Sequence, residues 1–203
     1  MNHPEFEIKK DLSISMAKAN LYSLFFALPA AIILMGIYLS LWGKQGMVDA
    51  RLMIYKNFSL SVLVLIIGVL LHELLHGLTW TWLGKKPFNA IRYGINLKVL
   101  SPYAHCQEPL NIKVYRWGAL MPGLVLGIIP AVLGILSGNG AIMSFGLLFT
   151  VAAGGDAIIL WILRKETRDA LVLDHPNKAG CCICEATADT AHSASLKETP
   201  HEI

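Results

Sequence analysis

Three long stretches of the chain are apolar and almost free of charged residues. They cover residues 21–42, 60–83 and 118–163. A helix needs about 20 residues to cross the ~30 Å hydrocarbon core of a bilayer, so the third stretch is long enough for two crossings. The turn-forming run Ser137-Gly138-Asn139-Gly140 divides it. The pattern therefore predicts four transmembrane helices, near residues 21–42, 60–83, 118–136 and 141–163.

The segment between the second and third predicted helices carries a different pattern. Residues 90–100 alternate between apolar and polar positions, with one phase formed by Ile91, Tyr93, Ile95, Leu97 and Val99. Alternation with a period of two indicates a strand, and Gly94 or Asn96 could bend it into a hairpin. The predicted fold is therefore an all-α integral membrane protein with a short cytoplasmic β-hairpin-like loop between its second and third helices.

The two ends of the chain are more polar than its centre. Residues 1–20 mix charged and apolar positions, which fits either a short interfacial helix or a frayed terminus. Residues 166–203 are polar, and we expect a cytoplasmic tail that is partly disordered. The sequence thus predicts a membrane domain at residues 21–165 between an N-terminal cytoplasmic segment and this tail.

Composition and charge support membrane insertion and give an orientation. Hydrophobic residues make up 55% of the chain and charged residues only 15%, which is unusual for a soluble domain. Of the 17 Lys and Arg residues, all but Lys44, Arg51 and Lys56 fall on the side that holds both termini and the middle loop. Because basic residues concentrate on the cytoplasmic side, both termini are predicted to be cytoplasmic.

Four ionisable side chains lie inside the predicted spans: His72, Glu73, His76 and Asp156. An ionisable group at the centre of a spanning helix costs about 2.5–3.5 kcal/mol or more, so each one requires a reason. His72 and His76 are four residues apart and share one helix face, where both imidazoles can reach one Zn²⁺ ion. Glu73 lies beside that ion, where it can act as a general base on water. The spacing predicts a hydrolytic zinc site.

A hydrolytic zinc needs a third protein ligand, and Asp156 is the candidate. Counted from Lys85 and Arg164, which mark the cytoplasmic ends of their helices, His76 and Asp156 lie at nearly equal depth, about 12–14 Å inside. Gly154 and Gly155 would permit close helix packing at that level. The alternative is a lone acid that is hydrogen-bonded to a neighbour or hydrated in a cavity.

At these residues the chain resembles a family of small, mostly bacterial membrane proteins classed as putative zincin peptidases. The resemblance covers about residues 60–185 and rests on four motifs: His72-Glu73-Leu74-Leu75-His76, Ala153-Gly154-Gly155-Asp156, Ser101-Pro102-Tyr103-Ala104-His105-Cys106 and Asp174-His175-Pro176. The plan is similar to that of site-2 intramembrane proteases, which carry an Asn-Pro-Asp-Gly type of motif where this chain has Gly-Gly-Asp. The resemblance implies a zinc peptidase of the bacterial inner membrane.

Several functions remain in competition. The leading hypothesis is a membrane-embedded zinc peptidase that acts on a peptide or membrane-protein substrate, which docks by strand addition along Tyr93, Ile95 and Leu97. The alternative is a non-catalytic zinc-binding adaptor or chaperone with the same fold. A haem site is disfavoured, because histidines at i and i+4 on one helix cannot supply opposite axial ligands. The expected partners are this substrate and the lipid bilayer, and the sequence carries no nucleic-acid-binding signature.

Two further groups of residues carry side chains that can bind a metal. Cys181, Cys182 and Cys184, with His175 and His192 nearby, could form a soft metal site or carry lipid, although ordinary reduced thiols are favoured. His105 could approach the zinc, although a surface role is favoured.

The basic residues give a testable topology. Reporter fusions at the C-terminus and after Lys10 should read cytoplasmic, because the lysines and arginines accumulate on that side, and a fusion near Val48 should read external. The measurement is the activity of a compartment-specific reporter at each position. A cytoplasmic signal near Val48 would contradict four spans.

Overall fold

The computed structural model describes residues 6–97, 101–175 and 178–186. The described chain is mostly helical. A π-helical segment, Gly123–Ile128, joins α4 to α5, and a short 3-10 turn, Phe88–Ala90, follows α3. The helices are α1 Met16–Trp42, α2 Gln45–Lys56, α3 Phe58–Gly84, α4 Ile112–Pro122, α5 Ile129–Ser137, α6 Gly140–Ala152 and α7 Gly154–Leu163.

The long apolar helices agree with the predicted spans. Lys18–Trp42, Phe58–Gly84 and Ile112–Ser137 are each long and apolar enough to cross a membrane. The α6–α7 pair is apolar as well, but its two helices meet at an angle of 44°, so the pair makes a fourth crossing only if it is one bent span. Helix α2 lies between the first two spans and was not predicted.

The predicted break at residues 137–140 separates α5 from α6. Helix α5 ends at Ser137, and Gly138 takes a φ of +68°, in the left-handed region that favours glycine. The Asn139 side chain then caps α6 by accepting hydrogen bonds from the N–H groups of Ala141 (2.9 Å) and Ile142 (3.1 Å). These residue types reverse the chain and start the next helix, as the sequence indicated.

The described residues also form six strands in two antiparallel sheets; the two-stranded hairpin was predicted, whereas the four-stranded sheet was not. One sheet has four strands in the order β1-β6-β5-β4, and the other pairs β2 with β3. The strands are β1 Phe6–Asp11, β2 Ile91–Asn96, β3 Ser101–Cys106, β4 Leu110–Asn111, β5 Leu171–Asp174 and β6 Cys181–Ala186.

The four-stranded sheet ties the two ends of the chain together. Residues 6–11, where an interfacial helix or a frayed terminus was expected, form β1 and pair with β6 from Phe6↔Ala186 to Asp11↔Cys182. Residues 171–174 and 181–186, expected in the polar tail, are strands because their apolar side chains gain a shared core with one another and with Phe6. The expected disorder of residues 187–203 lies outside the described residues.

The predicted hairpin is present, but its reversal lies elsewhere. Strands β2 and β3 pair from Ile91↔Cys106 to Asn96↔Ser101, so the reversal falls after Asn96 rather than at Gly94 or Asn96. Val99 lies outside the described residues.

The hairpin runs back alongside α3 instead of projecting away from it. The Tyr93 hydroxyl fills the space that a side chain at Gly77 would occupy. The backbone N–H of Ala104 donates a hydrogen bond to the Glu73 carboxylate. Since Glu73 is eleven residues before Gly84, this contact lies about 16 Å along the axis from the end of α3. The hairpin therefore reaches the level of the His-Glu motif.

Candidate metal centre

Helix α3 directs its two histidines into the protein. Most of its side chains are exposed, as expected for a helix in lipid, and its buried residues follow a narrow stripe. Gly68, His72, His76 and Trp80 are spaced four residues apart and lie on one face. Consequently both imidazoles turn inward, with ring centroids 5.1 Å apart.

Asp156 meets this pair from α7. One carboxylate oxygen, Oδ2, lies 3.2 Å from His72 Nε2, and the other, Oδ1, lies 3.4 Å from His76 Nε2. Asp156 is in the first turn of α7, directly after the bend that separates this helix from α6. Gly154 permits that bend to pack closely, because a Cβ there would meet the Ser23 carbonyl of α1. The structure thus brings together the three residues selected from the sequence.

The donor set fits a metal ion. One ligand atom from each of His72, His76 and Asp156 lies within 4.8 Å of the other two. Asp156 Oδ2 is buried and accepts no well-aligned hydrogen bond within the described chain, even from His72 Nε2 at 3.2 Å, although buried oxygens normally have a partner. Two imidazole nitrogens and a carboxylate are ligands that zinc accepts at hydrolytic sites. A cation between them would satisfy the unpaired oxygen.

A chain of contacts orients His76. Its Nδ1 lies 2.9 Å from the Gly118 carbonyl oxygen, which can only accept a hydrogen bond, so Nδ1 donates and Nε2 is left to bind a metal ion held beside Asp156. Trp80 stacks on His76 at 5.5 Å between centroids, and Tyr115 stacks on Trp80 at the same distance. A side chain at Gly118 would collide with the Trp80 indole. These contacts prepare His76 as a neutral ligand.

Glu73 faces a cavity beside this group. The cavity has a volume of about 810 Å³, and its walls include Glu73, His76 and Asp156. Two of the predicted substrate-binding residues, Ile95 and Leu97, also line it. Tyr93 does not, because its ring packs on Phe88 at 5.9 Å between centroids. The Glu73 carboxylate, two of the candidate metal ligands and the end of strand β2 therefore line the same cavity.

Comparison with known proteins gives the family of this chain. The profile of the putative zincin peptidase family matches residues 65–171, a region that contains His72, Glu73, His76 and Asp156. The chain belongs to this family. A relative from Pyrococcus woesei, described as "Uncharacterized 24.7 kDa protein in gap 5'region", is 30% identical over 115 residues, which cover 56% of this chain and 50% of that protein. The chain thus matches about half the length of that relative. No solved structure matches the chain.

In this member of the zincin peptidase family, two cavity residues were not assigned to the site from the sequence. Asp174 and His105 both line the cavity. The Asp174 carboxylate accepts hydrogen bonds from the Tyr115 hydroxyl and, at 2.8 Å, from the backbone N–H of Cys106. Burial raises the pKa of Asp174, while the nearby His105 and these hydrogen bonds oppose that rise. The signal that could have identified Asp174 is the motif Asp174-His175-Pro176.

The four cysteines are buried free thiols. Cys182 and Cys184 face a small core with Leu173, whereas Cys181 faces the core around Trp80. Burial raises the pKa of Cys106 and of Cys184 to about 11 in each case, so these thiols are protonated and weakly nucleophilic at neutral pH. Within the described residues, no cysteine joins a cluster of three metal ligands. His192 lies outside these residues.

The metal centre predicts the metal content of variants. Asp156→Ala should lower the zinc bound per purified protein, because it removes the ligand that completes the three-residue group. His72→Ala should lower it as well, and Asp169→Ala, at an exposed acid beyond α7, serves as the control. The measurement is elemental analysis of protein purified in detergent. Full zinc occupancy in Asp156→Ala would show that Asp156 is not a ligand.

Proposed function

We propose that this chain is a zinc-dependent, membrane-embedded peptidase. His72, His76 and Asp156 hold the zinc, and Glu73 is the general base. The observation that carries the proposal is the placement of Glu73, whose carboxylate lines the same 810 Å³ cavity as His76 and Asp156. A general base must lie within hydrogen-bonding reach of the water that it deprotonates, and a position on the wall of the cavity that also holds His76 and Asp156 meets this requirement.

Glu73 moves the proton in this reaction. When bound, zinc supplies Lewis-acid activation of water and of the substrate carbonyl. Glu73 accepts a proton from the attacking water and transfers it to the amide nitrogen. A carbon–oxygen bond forms, the carbon–nitrogen bond breaks, and the products are a carboxylic acid and an amine. Gly118 and Trp80 keep His76 in the tautomer and orientation that this chemistry needs.

The competing function is a non-catalytic zinc-binding adaptor or chaperone. A structural zinc site is closed by four protein ligands, whereas this group offers three. An adaptor also has no need for a carboxylate inside a spanning helix, where an ionisable group is costly. Both features favour catalysis, and the Glu73 variant below separates the two functions.

The hairpin offers one edge to an extended substrate. On β3, the backbone N–H groups that point away from β2 already make hydrogen bonds. Ala104 donates its N–H to Glu73 and Cys106 donates its N–H to Asp174, while Pro102 has no N–H. Strand β2 pairs only with β3 within the described chain. In an antiparallel pair, the backbone N–H and C=O groups of every second residue point away from the partner strand. In β2 these are the groups of Tyr93 and Ile95. We propose that a peptide adds to this edge of β2.

The proposed setting is the bacterial inner membrane with both termini in the cytoplasm. The cavity is lined by residues of the hairpin and of the β5–β6 connection as well as by the helices. It therefore opens toward the side that carries the sheets. Its substrates are peptides or membrane proteins whose extended segments reach that side.

The role of Glu73 can be tested with a conservative substitution. Glu73→Gln should keep zinc and fold but lower the cleavage rate by at least ~10²-fold, because an amide cannot accept the proton. The assay uses an internally quenched fluorescent peptide, selected from a random library by cleavage with wild-type protein in detergent. Glu185→Gln, at an exposed acid of β6, is the control. Wild-type activity in Glu73→Gln would exclude Glu73 from the mechanism, and an inert wild-type protein that binds zinc would favour the adaptor.

Strand addition is tested on β2. Ile95→Pro should raise the KM for the same peptide several-fold, because it removes an outward backbone donor, and it should leave zinc content unchanged. Ile95→Ala keeps the backbone donor and separates its contribution from that of the side chain. Equal KM values for Ile95→Pro and Ile95→Ala would place the substrate elsewhere.

A further inference from the structure

The proposed reaction assigns no protein hydrogen-bond donor to the substrate carbonyl oxygen. As water attacks a peptide carbonyl, negative charge develops on the oxygen, and enzymes place a hydrogen-bond donor at that oxygen. Glu73 cannot fill this role because an ionised carboxylate only accepts hydrogen bonds. The donor must be another group on the cavity wall. The inference below rests on the proposed peptidase function and extends it.

Two obvious donors on the cavity wall are already engaged. The Tyr115 hydroxyl donates to Asp174, and Tyr115 itself is buried in the ring stack with Trp80. The Lys178 ammonium lies 3.5 Å from Asp11. His105 also lines the cavity, and a neutral imidazole always keeps one N–H donor.

The backbone on both sides of His105 is fixed to acids of the site. Ala104 donates its N–H to Glu73, and Cys106 donates its N–H to Asp174 at 2.8 Å. His105 is the residue between them on β3, so the strand cannot shift without breaking one of these bonds. The Tyr103 ring packs against the imidazole at 4.6 Å between centroids. His105 is thus held between the proposed base and a second carboxylate.

Asp174 is suited to orient an imidazole. Its carboxylate is fixed by the Tyr115 hydroxyl and the Cys106 N–H. It lies beside His105, since it binds the N–H of Cys106, the next residue of the strand, and both side chains line the cavity. A carboxylate that accepts from one ring nitrogen directs the other nitrogen outward and supports positive charge on the ring.

We propose that His105 is a further catalytic residue, which donates a hydrogen bond to the developing oxyanion of the scissile peptide bond, and that Asp174 is the positioning residue that orients it. The path of the β2–β3 hairpin alongside α3 then has a chemical consequence. It brings a donor from the hairpin to the wall that already carries the base and the metal ligands.

The experiment compares catalysis with binding. His105→Ala should lower kcat for the selected peptide by about 10²-fold, with KM and zinc content unchanged, because the donor acts only as charge develops. The Ki of a phosphinic peptide, which carries an anionic tetrahedral centre, should rise in parallel. His105→Gln supplies an amide donor and should recover part of the loss. Gln107→Ala, at an exposed residue on the far side of Cys106, is the control.

A double-mutant comparison tests Asp174. Asp174→Asn keeps an acceptor oxygen and should lower kcat in the wild-type background but have little further effect in His105→Ala. Equal losses in both backgrounds would make Asp174 merely structural. Wild-type kcat and Ki in His105→Ala, with Glu73→Gln inactive, would overturn the role of His105 and leave the peptidase intact. Glu73-independent cleavage would refute the peptidase mechanism and this inference together.

Discussion

The contact between Asp156 and the two imidazoles of α3 sets the arrangement of the helices. One face of a helix presents two histidines to one point but cannot supply a third ligand at the same depth. That ligand has to come from another helix, which must approach closely and at the same level. Asp156, in the first turn of α7, supplies that carboxylate, with its oxygens 3.2 and 3.4 Å from the imidazole nitrogens, and Gly154 lets the same turn pack closely on α1.

The sheets follow from the same constraint. Polar groups inside an apolar bundle need partners, and the Glu73 carboxylate obtains one from the backbone of β3. The next outward donor of that strand reaches Asp174, which belongs to the four-stranded sheet. A continuous set of hydrogen bonds therefore links helix α3, the hairpin and the sheet formed by the two ends of the chain.

The sequence predicts those features that depend on local pattern. Hydropathy places the long apolar helices, turn formers place the break after Ser137, and the histidine spacing with helix depth selects Asp156. Pairing over long distances leaves no such signal. The pairing of β1 with β6 joins residues more than 170 positions apart, and charged side chains on β1 hide its strand character. Trp80 and Tyr115 become recognisable only when packing stacks Trp80 on His76 and Tyr115 on Trp80.

The two edges of the hairpin serve different tasks. On β3 the outward donors are bound to Glu73 and Asp174, so a substrate that paired there would have to displace the base. On β2 the outward groups of Tyr93 and Ile95 face away from these acids. A peptide on the β2 edge can be held by main-chain pairing while the hydrogen bonds that fix Glu73 and His105 stay intact. A peptide paired with β2 lies two strand spacings, about 10 Å, from β3, so the part of the substrate beyond the paired segment is what reaches the cavity.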